Sequence, residues 1–174
     1  MKKKVRFSCY AVMVVAFTFL NAAVVSGQGN VSITAGFGFP DLLNAGIRYQ
    51  IGQAQIGISA GVMPVEGESV TSALFDVHYH FAGSSALSAR KPWYGRLGLS
   101  YLHDKKEGAF DEKFVFIGMR AGREFNISQH FGIAIDAGLM YKLYSDVEEN
   151  DLAQLIDSII TGFPAGGIGL FYRF

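Results

Sequence analysis

Residues Pro164 to Phe174 read PAGGIGLFYRF, and the fold follows from how they alternate. Counting back in twos from Phe174 gives Tyr172, Leu170 and Ile168, all apolar; between them stand Arg173, Phe171 and Gly169. A period of two is the mark of a β-strand whose faces meet different surroundings. The same alternation recurs upstream in seven more segments, near 30–39, 42–51, 54–63, 70–82, 92–103, 113–126 and 129–144. Ile56, Ile58, Ala60 and Val62 oppose Gln55, Gly57, Ser59 and Gly61; Ala73, Phe75, Val77, Tyr79 and Phe81 oppose Ser72, Leu74, Asp76, His78 and His80. Leu97, Leu99 and Tyr101 oppose Arg96, Gly98 and Ser100, and Ile133, Ile135, Ala137 and Leu139 oppose Ala134, Asp136 and Gly138.

Each segment is close to the ~9–11 residues that a tilted strand needs to cross a bilayer. The apolar face is expected to point outward to lipid, and the polar, glycine-rich face inward. Phe39, Tyr49, Phe81, Trp93, Tyr101, Phe131, Tyr141 and Phe174 sit near strand ends, where interfacial girdles belong. The inward glycines leave room for large side chains opposite, because an eight-stranded barrel is only wide enough to hold its own side chains.

The strand that ends the chain resembles the C-terminal signal of bacterial outer-membrane β-barrel proteins. In that family, a terminal Phe with apolar residues two, four and six places upstream is read by the barrel-assembly machinery. Residues 28–174 as a whole resemble the small eight-stranded barrels of the OmpX type, or the membrane domain of OmpA. The resemblance implies an all-β, antiparallel up-and-down transmembrane barrel with outer-membrane lipid as its surroundings. It implies no catalytic, metal or cofactor site, and it leaves out the peptidoglycan-binding half of OmpA-like proteins. A soluble up-and-down barrel such as a lipocalin, with its apolar face inside, is the competing arrangement.

The N-terminus fits an envelope destination. Lys2, Lys3, Lys4 and Arg6 precede an apolar run from Tyr10 to Leu20, followed by Ala22, Ala23, Ser26 and Gly27. This reads as a secretory signal peptide over residues 1–27, removed on export to the outer membrane. Cys9 would leave with it, so a mature chain has no thiol for a disulfide, a nucleophile or a metal. Four of the 15 Lys and Arg also leave, giving 11 against 15 Asp and Glu, a charge of about −4 that argues against nucleic acid as a partner.

With both ends in the periplasm, the turns at 52–53 and 126–129 are short, while the one from Ala82 to Lys91 is longer than the family pattern. Outer connections fall at Pro40–Asp41, 64–69, 104–112 and 145–163 and could meet a surface partner. The last contains Leu152, Leu155, Ile156, Ile159 and Ile160 at helical spacing, which predicts a short helix over 150–161.

Three constellations bear on chemistry. Arg48, Arg96, Arg120, Lys142 and Arg173 share the inward face with Asp76, Glu124, Asp136, His78 and His80, which predicts ion pairs filling the lumen. Asp76, His78 and His80 form D-x-H-x-H on one strand face, a weak metal pattern whose third ligand would have to come from Glu124 or Asp136. His103 is the outward histidine a lipid hydrolase would use, and no outward Ser is evident beside it. The chain is therefore expected to have a structural or surface-interaction role and not to be an enzyme; activity on envelope lipid and a narrow solute channel are the alternatives.

Overall fold

A computed structural model describes residues 30–65, 68–106, 110–146 and 162–174. The signal segment and the helix expected over 150–161 lie outside these residues. Eight strands follow one another in chain order: β1 (Val31–Phe39), β2 (Leu42–Ile51), β3 (Ala54–Val65), β4 (Glu68–Ala82), β5 (Trp93–Lys106), β6 (Phe110–Asn126), β7 (Phe131–Asp146) and β8 (Gly162–Arg173). Each pairs antiparallel with the next, and β8 closes the ring on β1 from Ser32↔Arg173 to Phe39↔Gly166. Closure leaves no edge strand.

The alternation read from the sequence sets the two faces. Phe37, Leu43, Ile58, Phe75, Leu99, Met119, Leu139 and Ile168, one from each strand in order, are between 48% and 67% exposed. Asp76, His78, His80, Arg96, Arg120 and Glu124 are buried at 8% or less. A water-soluble barrel has the opposite arrangement, so the lipocalin-like alternative is not the one adopted.

The strands at the end bearing the β3–β4 and β5–β6 connections run further than the sequence suggested. Much of 64–69 and 104–112 is strand, with Val65↔Glu68 and Lys106↔Phe110 still in register. Hydrogen bonds to a neighbouring strand satisfy these backbones even where the side-chain alternation fades. A bulge in β7 between Tyr144 and Lys142, opposite Val115 and Phe116, leaves both Leu143 and Tyr144 exposed. At the other end, Ile51↔Ala54 pairing leaves Gly52–Gln53 as a two-residue hairpin turn, and Gly52 supplies the positive φ of 61° that such turns demand.

The long β4–β5 connection has a structural role. Residues 83–92 fold across the mouth at the terminus end and are tied there by Gln53 Nε2 to the Ala89 carbonyl (3.3 Å) and by the Lys91 N–H to Gln53 Oε1 (3.1 Å). Asn126 Nδ2 donates to Ser85 Oγ (3.0 Å) from the neighbouring turn.

Candidate functional site in the barrel lumen

The lumen is stacked in four layers. Furthest from the termini is an apolar layer of Leu42, Val70, Leu102, Phe116, Met140 and Ala165, with Met63, Phe114 and Phe163 packed on it. The sequence reading described the inward face as polar and glycine-rich; at this end it is apolar. Val70, Leu102, Phe116 and Met140 are all in phase with the inward residues of their own strands. Phe116 stacks on Phe114 at 5.9 Å and meets Phe163 edge-on at 6.5 Å.

Beneath it, three guanidiniums meet three carboxylates. Arg96 reaches Asp41 (3.0 Å), Asp76 (3.1 Å) and Asp136 (3.1 Å). Arg120 reaches Asp41 (2.9 Å) and Asp136 (3.1 Å), and its Nη2 also donates to the Phe39 carbonyl (3.1 Å). Arg48 lies 3.7 Å from Asp76. Asp76 and Asp136 thus meet arginines as expected from their shared face. Asp41 was assigned to an exposed outer connection, but it is 5% exposed and points into the lumen. The hairpin between β1 and β2 is so short that its turn folds down over the barrel, and Ser72 Oγ donates to the Asp41 carbonyl at 3.0 Å.

The third layer is made of rings. Tyr94, His78 and His80 are each 1% exposed or less, with Tyr94 4.9 Å from His78 and 5.3 Å from His80 between ring centres. Gly122 makes this layer possible, since a Cβ there would collide with Cζ and the hydroxyl of Tyr94. His80 Nδ1 donates to the Lys91 carbonyl (2.7 Å), and its Nε2 lies 3.2 Å from Gln55 Oε1. His78 Nε2 is 3.1 Å from Asp76 Oδ1, but neither ring nitrogen has an aligned hydrogen bond, so the contact is electrostatic. The two histidines of the D-x-H-x-H pattern therefore engage separate partners, and among the described residues no three ligating side chains converge.

The fourth layer is ionic again. Glu124 Oε2 accepts from Arg90 (Nη2 2.8 Å, Nε 3.1 Å) and from Arg173 Nη2 (2.9 Å). Arg173 was expected on this face; Arg90 was not, because it lies in the turn after β4, outside any alternating run. It is 8% exposed, and burial pushes its guanidinium down to about 10 against the pull of Glu124, so it stays charged at neutral pH. Lys142, also on the inward side, lies near the loop end and engages neighbours there. Between the layers the free space is small: one cavity of about 40 Å³ beside Arg48, Asp76 and Asp136, and another of about 10 Å³ beside Arg120 and Met140.

Outside the lumen, His103 Nε2 is 2.8 Å from Asp111 Oδ1, with Lys105 3.3 Å from the other carboxylate oxygen. Register places Thr71 opposite His103 and Ser69 opposite Lys105. Among the described residues, neither hydroxyl hydrogen-bonds to a histidine nitrogen, as a nucleophile paired with its base would.

An apolar exterior around a closed ring of eight antiparallel strands, with its charges turned inward, is the architecture of the small outer-membrane β-barrels of the OmpX and OmpA-membrane-domain type. Among solved structures, the chain is similar to the N-terminal β-barrel domain of Pseudomonas aeruginosa OprF, with a TM-score of 0.55 and 18% identity over 84% of this chain and 98% of that one. At this identity the likeness is one of fold. No protein-family model matches the sequence, and no curated protein matches it.

Proposed function

We propose that the chain is an integral outer-membrane barrel with a filled lumen, exported by a cleaved signal peptide, whose role is structural or lies in contacts made by its outer loops. The carrying observation is the stack of apolar, ionic, ring and ionic layers across the lumen, with small cavities of about 40 Å³ and 10 Å³ between them and a larger recess of about 510 Å³ beside Arg90 and Arg173 at the terminus-end mouth. A passage for solutes needs a continuous water path, and layers packed this closely argue against one. In planar bilayers the purified protein is expected to insert without conductance steps; steady ion-selective steps would overturn the filled-lumen reading.

The barrel-assembly machinery is the expected partner of β8. Tyr172, outward on β8, and Phe174, just past its end, meet edge-on at 5.3 Å, and Tyr172 is 43% exposed. Deleting Phe174 should lower insertion in cells while leaving refolding into detergent nearly unchanged. Equal insertion of both chains, followed by heat-modifiable migration on gels, would remove this role.

A further inference from the structure

The charge outside the lumen is divided unevenly between the two ends of the barrel. Every Asp and Glu of the chain either faces the lumen or lies in or beside the connections β3–β4, β5–β6 and β7–β8. At the terminus end, among the described residues, the outer surface has cations and no carboxylate side chain. Arg123 stands on the outward face of β6, in phase with Met119 and Ala121 and directly opposite Trp93. Its guanidinium lies 5.2 Å from the centre of the Trp93 ring and 5.0 Å from that of Phe125. Lys91 is exposed two residues before Trp93, and its Nζ donates to the Phe81 carbonyl at 3.3 Å. The Glu124 N–H donates to the Pro92 carbonyl at 2.8 Å, which fastens the Lys91 segment alongside the strand carrying Arg123. Glu124 itself turns inward to Arg90 and Arg173.

We infer that Lys91 and Arg123, set among Phe81, Trp93 and Phe125, seat the phosphate of an anionic phospholipid in the leaflet at the terminus end. The inference rests on the membrane-spanning reading above. Trp, Phe and Arg at the boundary of an apolar band occupy the headgroup level. Two cations with no neighbouring carboxylate attract a net negative headgroup more strongly than a zwitterionic one, whose own ammonium offsets its phosphate. The Trp93 face that a choline group would otherwise cover already holds the Arg123 guanidinium. The ring also orients Arg123, so its outward N–H groups are free to take phosphate oxygens as a fork.

Trp93 is the only tryptophan in the chain, so its emission reports from the site itself. The folded full chain would be placed in phosphatidylcholine vesicles containing either brominated phosphatidylglycerol or brominated phosphatidylcholine, and quenching followed against mole fraction. Brominated phosphatidylglycerol should be preferred by about fivefold for each cation engaged, the worth of one basic side chain at an anionic surface. Arg123→Gln should remove most of that preference while leaving quenching by phosphatidylcholine in place, Arg123→Lys should keep part of it, and Lys91→Gln should lower it. Equal quenching by the two lipids in the unaltered chain, or a preference untouched by both glutamine substitutions, would overturn the site. Absence of quenching by either lipid would instead overturn the membrane-spanning reading on which it rests.

Discussion

Arg96→Met should cost on the order of 3–5 kcal/mol of unfolding free energy, the range for removing one partner of a buried ion pair. The urea midpoint of the barrel refolded in lipid vesicles is the measurement. Among the described residues, Arg96 is the only side chain that touches all three carboxylates of the mid-lumen cluster, Asp41, Asp76 and Asp136. Without it, Asp76 keeps only Arg48 at 3.7 Å and His78, while Asp41 and Asp136 must share Arg120. Three carboxylates facing two guanidiniums in a site screened from water repel one another, which is why the loss exceeds that of one hydrogen bond. Adding Asp76→Asn to Arg96→Met removes one of the stranded charges and should restore part of the loss. If the double substitution is no more stable than the single one, the coupling drawn here between Arg96 and Asp76 is wrong.

Leu99→Arg should cost about 2–4 kcal/mol in lipid, the penalty for a cation on the lipid face of a barrel near the bilayer midplane. Leu99 is 48% exposed on β5, between Leu97 and Tyr101 on the same outward face. The penalty comes from taking the guanidinium out of water where no carboxylate is in reach. It should fade as the substitution moves toward the interface: Trp93→Arg, at the terminus-end boundary, should cost at most about 1 kcal/mol in charge burial. Folding yield and urea midpoints in vesicles of one lipid composition measure both. A Leu99→Arg protein as stable as the parent would contradict a lipid-facing exterior, since a water-facing barrel tolerates an exposed arginine.

The outward polarity and the number of strands were legible because both are written in local alternation. A strand's side chains must face one way or the other, and Ile56, Ile58 and Val62 against Gln55 and Ser59 leave little choice. The same alternation places Arg123 on the outward face, in phase with Met119 and Ala121. Asp41 and Arg90 were not legible in this way. Both lie in connections, where no period applies, and whether a turn folds over the mouth or away from it depends on what the strands on either side leave open.

By itself, the sequence determined the number and order of the strands, their two faces and the set of strand charges that had to be neutralised together, because strand geometry is set by the chain's own covalent spacing. Only the tertiary structure decided the partners. Arg120 meets Asp41 across 79 positions of sequence, and Arg173 meets Glu124 across 49, distances set by the closure of β8 on β1 and by the stagger of each strand against its neighbours. Closure also divided the inward face into apolar, ionic and ring layers, since residues from eight strands reach the same depth only once the ring is complete.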